Sequence, residues 1–285
     1  RRQRHMCIRD RYDIIYLSSF FSPTSCLFYF FSIFGLLPRS KILIAPRGEL
    51  THGALSIKSR KKAFFIKLFK IVVPFKNFCW HVSNEIEAQE VLRYIPVAPS
   101  LLFCAIDPVV SPSIHVPLRR ANTDIFRLVF ASRISPKKNL AFLIQALLHL
   151  KSPCSFAVYG CVDDSSYWAY CLTLLRRLPP HVSWHYHGEY LPTQLPEVFG
   201  DSDLFVFPTL SENFGHVVYE SLSHGCPVLV SPFTPWRSSP PSVHVESITS
   251  PMNWSLRIDN LITSSKSIRA SIQYACISSV SYTHL

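Results

Sequence analysis

A chain of 285 residues has room for two domains of ordinary size. Hydrophobic residues supply 48% of it and charged residues 16%, a globular composition that excludes intrinsic disorder. The formal net charge of +11 suits anionic partners or a membrane surface, and the nine cysteines lack CxxC or zinc-type spacing, so a reduced, cytoplasmic protein without a metal site is expected.

In chain order, Ile14–Ser19, Lys41–Pro46 and Phe78–Ser83 read as buried strands, and helices are expected over roughly Cys26–Leu37, Ala54–Val72 and Glu85–Tyr94. The uncharged run Ile14–Pro38 reaches the ~20 residues of a membrane span. Ser18, Ser19, Ser22, Pro23, Thr24 and Ser25 divide it, so strand, turn and helix is the plainer reading. Val97–Ser113 is proline-rich, with Pro117 close behind, and suits a linker. A second series opens at Phe126. Its strands are expected at Phe126–Ser132, Ser155–Tyr159, Val182–His187, Leu204–Pro208 and Val228–Ser231. Helices fit at Leu140–Leu150, Tyr167–Leu178, Gln194–Phe199, Phe214–His224 and about Met252–Ile262. Such alternation implies parallel sheets covered on both faces, in two α/β lobes with a cleft between them. Ligands of such sheets bind at the carboxyl ends of strands, which directs attention to the turns after Ser132, Pro208 and Ser231.

The ends read as foreign. Met6–Arg11 (MCIRDR) and Val280–Leu285 (VSYTHL) resemble translations of one transposon-adaptor sequence read from opposite strands. The expected division is therefore 1–11 scar, 12–113 first lobe (incomplete), 114–279 second lobe (truncated) and 280–285 scar. Setting residues 1–11 aside removes five arginines and one aspartate, and +11 becomes +7.

The chemistry concentrates in Pro208–Glu220, PTLSENFGHVVYE. A strand ends, a polar turn follows, and a helix opens near Phe214, whose free N–H groups favour an anion such as a diphosphate. Gly215 allows close approach to the backbone. Glu212 and Glu220 stand about 10 Å apart along such a helix, a separation that suits the two ends of a nucleotide-sugar. A capping carboxylate and a solvated surface residue would produce the same pattern.

A Glu, seven residues and a Glu within PTLSENFGHVVYESLSHGCPVLVSPFTPW resemble the signature of retaining family 4 glycosyltransferases of GT-B fold. FASRISPKKNLAFLIQAL resembles their second donor-site segment, and the likeness runs through residues 126–236. IAPRGELTHGALSIKSRKKAFFIKLF resembles the acceptor-side lobe of bacterial polysaccharide- and lipopolysaccharide-building members. The resemblance implies two Rossmann-like lobes. It implies that Arg133 and Lys138 hold the donor diphosphate, whose leaving-group charge two fixed cations stabilise. It also implies that Glu212 meets the donor sugar hydroxyls, the amides of Asn213, Phe214, Gly215 and His216 meet sugar and phosphate, and Glu220 binds the ribose. The turn with Glu189 and Tyr190 lies near the base. Transfer with retention, assisted by the donor phosphate, needs no metal or other cofactor. No DxD-like acidic pair stands beside the donor motifs, since Asp163-Asp164 lies in the loop after Gly160.

The sequence departs from that pattern in several places. Ser132 stands where a glycine usually precedes the arginine, and the glycine-rich loop that opens the family is absent. The bracing C-terminal helix cannot be identified, so the 285 residues are expected to hold a recognisable site without activity of their own. Where many relatives carry a histidine, this chain reads Pro46-Arg47-Gly48-Glu49, with His52 near. Arg47 and Gly48 suit an anionic, lipid-linked or glycan acceptor, with His52 a weaker candidate.

Lys58–Lys76 interleaves seven cations with Phe64, Phe65, Ile66, Leu68 and Phe69. It reads either as a helix lying on anionic lipid, peripheral on the inner face of the cell membrane, or as an ordinary solvated basic helix. No nucleic-acid-binding module accompanies the charge. Two other functions stay open: a GT-B phosphorylase or epimerase, and a non-catalytic nucleotide-sugar-binding or membrane-surface protein.

Overall fold

A computed structural model describes residues 13–37, 41–51, 54–55, 59–105, 125–265 and 269–281. The chain divides into two compact units, Arg1–Pro108 and Val109–Leu285.

In the first unit β1 (Ile14–Leu17), β2 (Lys41–Ile44), β3 (Cys79–Val82) and β4 (Leu102–Cys104) form a parallel sheet in that spatial order. Helices α1 (Pro23–Ile33), α2 (Ser59–Val72) and α3 (Glu85–Tyr94) lie between them in sequence. Local chemistry sets the helix starts. The Ser22 hydroxyl accepts from Ser25 N, and Pro23 fits the first turn of α1. Asn84 caps α3 by accepting from Glu87 N. Strands that step in one direction by right-handed crossovers put every connecting helix on one face. Accordingly Leu17, Ile42, Ile44, Trp80 and Val82 are buried in one cluster with Tyr29, Ile66, Phe69 and Val91. The alternate residues Ile14, Tyr16 and Phe103 are 58%, 43% and 52% exposed. The expected covering of both faces therefore fails in this unit, among the described residues. β4 also falls inside the stretch expected as linker, pairing Leu102 with Trp80.

In the second unit β5 (Phe126–Ala131), β6 (Cys154–Tyr159), β7 (Val182–Gly188), β8 (Leu204–Phe207), β9 (Val228–Val230) and β10 (Val243–Val245) form a parallel sheet ordered β10-β9-β8-β5-β6-β7. Its helices are α4 (Leu140–Leu147), α5 (Ser165–Leu175), α6 (His216–Ser223), α7 (Pro251–Ser265) and α8 (Arg269–Ser281). The chain runs outward from β5 to β7, then returns across β5 to β8 and runs the other way. That reversal is a topological switch point between β5 and β8, where α/β sheets bind ligands. Asp203 ties the junction: Arg127 N donates to its carboxylate at 2.7 Å, and Asp203 N donates to Arg127 O at 2.8 Å. β5, β8 and β9 are buried almost throughout, as near-continuous Val, Leu and Phe runs require. The helix expected at Gln194–Phe199 is instead a tight turn, Pro192–Gln194, followed by a wide helical turn, Pro196–Gly200. The serine-rich tail folds as α8, and Cys276 and Val280 pack into the core. No helix among the described residues is long and apolar enough to cross a membrane.

Candidate functional site

The two loops that leave β5 and β8 at the switch point are laced together. Leu210 N and the Thr209 hydroxyl both donate to Lys137 O, at 2.9 and 3.2 Å. Asn139, in the left-handed region at φ 59°, donates its side-chain amide to Pro208 O at 3.1 Å. This lacing carries Lys138 to Glu212. Its Nζ lies 2.5 Å from Glu212 Oε2, and the two side chains keep only 11% and 18% of their exposure. Nζ also stands 5.0 Å from the centroid of the Phe207 ring. A cation and a carboxylate, largely shielded and charge-assisted, thus share the mouth of the switch point.

The segment 212–215 is clamped from the loop after β9. Glu212 N donates to Phe233 O at 2.9 Å, and the Trp236 indole N–H donates to Phe214 O at 2.8 Å. Gly215 sits at φ 81°, and a Cβ there would lie 3.1 Å from Trp236 Nε1. Its left-handed backbone delays the start of α6 to His216, two residues later than the sequence suggested. Phe214 and Gly215 therefore belong to the loop, and the peptide group that joins them is held by Trp236. The Phe214 and His216 rings lie 4.8 Å apart.

Within α6, Glu220 is part-buried and its carboxyl is raised by desolvation. Tyr190, at the end of β7, is pushed up first by its own burial and then by the charge of Glu220. The fold thereby brings together two residues thirty positions apart in sequence. Tyr159 meets Tyr190 edge-on at 6.0 Å and stacks on His187 at 4.4 Å. Burial, followed by the neighbouring His185, holds His187 below its ordinary value.

Arg133 takes a different direction from Lys138. It is 63% exposed and pairs through Nη1 with Asp163 Oδ2 at 3.0 Å. The sequence had set Asp163 apart from the donor motifs. The sheet returns it to them, because Ile134 bridges Val162 and Asp163 N donates to Ile134 O. Asp164 caps α5 through Tyr167 N.

In the first unit, Arg47 adopts φ 54°, unusual for a side-chain-bearing residue. Its Nη2 donates to Tyr16 Oη at 3.0 Å, and Tyr16 Oη lies 2.8 Å from His81 Nδ1. Gly48 N donates to the buried Glu87 carboxylate at 2.6 Å. Tyr16 and His81 were not signalled by the sequence, since each reads as an ordinary strand residue. His52 lies outside the described residues.

Residues 118–239 match the model of the family described as Glycosyl transferases group 1. The matched segment spans the whole switch point, from before β5 to just past Trp236. No curated protein matches the chain by sequence. Among solved structures, HepE of Anabaena, in complex with UDP and glucose, is similar at a TM-score of 0.73 and 16% identity. The match covers 95% of this chain and 74% of HepE. WaaG, a glycosyltransferase involved in lipopolysaccharide biosynthesis, matches at TM-score 0.67 and 14% identity over 86% of this chain and 74% of WaaG. Sucrose-phosphate synthase of Thermosynechococcus elongatus matches at 0.70 and 13%, over 96% and 73%. At such identities they show the fold, which is GT-B: two Rossmann-like α/β units with parallel sheets.

Proposed function

We propose that the second unit binds a nucleotide-diphosphate-sugar and that the protein transfers its sugar, with retention of configuration, to a glycan or lipid-linked acceptor in cell-surface polysaccharide biosynthesis. The observation that carries this is the convergence of Lys138, Glu212 and the clamped loop to Gly215 at the switch point. Lys138 and Arg133 neutralise charge that builds on the diphosphate as the glycosidic bond breaks. In the free protein each already holds a carboxylate partner, Glu212 and Asp163, so the donor enters by exchange of partners. Glu212 then turns to the sugar hydroxyls, and the amides of Asn213, Phe214, Gly215 and His216 face sugar and phosphate. Glu220 accepts from the ribose hydroxyls, which relieves the desolvation of its carboxylate, and Tyr190 lies by the base. The donor phosphate assists the acceptor hydroxyl on the face that the sugar leaves, and no metal or cofactor takes part. HepE was solved with UDP, which makes a UDP-sugar the first donor to try.

On the acceptor side the reading assigns Arg47 and Gly48, with Tyr16 orienting the guanidinium, and His52 as a weaker candidate. For a lipid-linked acceptor this reading sets the protein at the cytoplasmic face of the membrane, with residues 58–76 against anionic lipid.

Calorimetric titration with a panel of nucleotides and nucleotide-sugars tests the donor site. One nucleotide class should bind, and Lys138→Ala and Glu220→Gln should each weaken it at least about tenfold, as loss of one charge-assisted contact implies. Unchanged affinity in both variants sinks the assignment. The anomeric configuration of the product, read by NMR, tests retention.

A further inference from the structure

Helix α2 has three sectors rather than two. At 3.6 residues per turn, Ile66 and Phe69 face the sheet, and both are buried. Arg60, Lys67 and Lys70 occupy an adjacent, exposed sector. The remaining sector carries Phe64, Leu68, Ile71 and Val72, which are 69%, 47%, 72% and 44% exposed, with Lys61 as its one cation, in the first turn of the helix. An ordinary solvated basic helix has no such third sector. Helix α1, which carries no charged residue, continues the apolar surface with Leu27, Phe30 and Ile33 exposed. Between the helices runs a groove of about 200 Å³, walled by Tyr29 and Ile33 on one side and Phe65, Leu68 and Val72 on the other.

Charge decides what covers this surface. From Ile14 to Asn84 the sequence holds ten lysines and arginines and a single acid, Glu49. That carboxylate is consumed locally, accepting from the Ser19 hydroxyl and from Phe20 N and Phe21 N. A second copy of the chain would bring like charges together across an apolar contact. An anionic bilayer satisfies both sectors at once: apolar side chains enter the acyl region while the lysines reach the headgroups.

We infer that α1 and α2 together form an insertion face for an anionic bilayer, with the groove between them taking up a lipid acyl chain. This deepens the membrane contact proposed above and does not depend on the sugar chemistry. It differs from simple surface attraction in requiring Phe64 and Ile71 to leave water.

Co-sedimentation of the full chain with vesicles of phosphatidylcholine, alone or mixed with phosphatidylglycerol, tests it. Binding is expected on the mixed vesicles. Lys67→Gln with Lys70→Gln should weaken it about 30-fold, at ~1 kcal/mol per cation. Phe64→Ser with Ile71→Ser replaces two side chains already exposed in the fold, and should weaken it at least about tenfold. Ile71→Trp should be quenched by lipid brominated in its acyl chains. Undiminished binding by the serine variant, or no quenching, overturns insertion while leaving the electrostatic contact standing. No binding to either vesicle overturns both. Self-association that the serine variant abolishes assigns the face to a second copy and overturns the inference. Nucleotide affinity measured on the same variants reports separately on the donor site.

Discussion

Replacing Gly215 by alanine tests the clamp on the donor loop. Gly215 holds φ 81°, and an alanine in that region costs ~1–2 kcal/mol of backbone strain. The new methyl would stand 3.1 Å from Trp236 Nε1 and 3.5 Å from its Cδ1, so the indole must give way by a few tenths of an ångström. That movement stretches the 2.8 Å bond from Nε1 to Phe214 O, worth ~0.5–1.5 kcal/mol. Together the expected cost is ~2–3 kcal/mol. In a Trp236→Phe background the hydrogen bond is already gone and the smaller ring leaves room. Gly215→Ala should then cost only the backbone part, and the double-mutant cycle should show ~1 kcal/mol of coupling. Urea unfolding followed by far-UV circular dichroism measures each corner, using the transition of the second unit. Strict additivity, or a single-mutant cost below ~0.5 kcal/mol, refutes the clamp.

Three further outcomes are expected. Burial, aided by the Arg257 cation, lowers His244 to about 4 in the folded chain against an ordinary 6.5. The unfolded chain therefore takes up this proton first on acidification. The associated stability is fully present above pH 6.5 and is lost as pH falls towards 4, by ~3 kcal/mol in all. Unfolding curves of His244→Gln should be flatter across that window, and an unchanged slope rejects the linkage. Glu87 accepts from Ser83 N, the Ser83 hydroxyl and Gly48 N at 2.8, 2.9 and 2.6 Å. Glu87→Ala strands these donors in the core and should cost ~3–5 kcal/mol in the first unit, read by thermal melts. At Gly160 a Cβ would lie 1.9 Å from the Ser132 carbonyl oxygen, so Gly160→Ala must move backbone. Its second unit should fail to reach wild-type circular dichroism at 25 °C.

The donor half was legible because its elements are long, apolar and bounded by turn residues. FRLVFA and LFVFPT could only be buried strands, and the loops after them carry the chemistry. Two of the three-residue strands were not legible, whereas Val228–Val230 was. Leu102–Cys104 and Val243–Val245 each follow prolines, and their strand character comes from pairing with β3 and β9. Helix α8 was missed because its serines, alanines and cysteine give almost no apolar period, although Cys276 is fully buried. Side-chain partnerships across the sheet were equally hidden. Arg133 with Asp163, Tyr190 with Glu220, and Trp236 with Phe214 are each set by strand order, which local pattern does not encode. The Tyr16–His81–Arg47 group belongs to the same class, joining residues from two strands and the loop after a third.

The different strand orders of the two units also bear on how each is made. In the first sheet every strand pairs with its predecessor in sequence, so each new strand finds its partner already synthesised. The second sheet begins with its centre. β5 gains β6 early, but its other edge waits for β8, and the Arg127–Asp203 exchange joins residues seventy-six positions apart. As the chain leaves the ribosome, the first unit can grow stepwise while the second must hold an open, apolar strand until residue 207 has emerged. The segment that matches the glycosyltransferase family is thus the part of the nascent chain that most needs protection from aggregation.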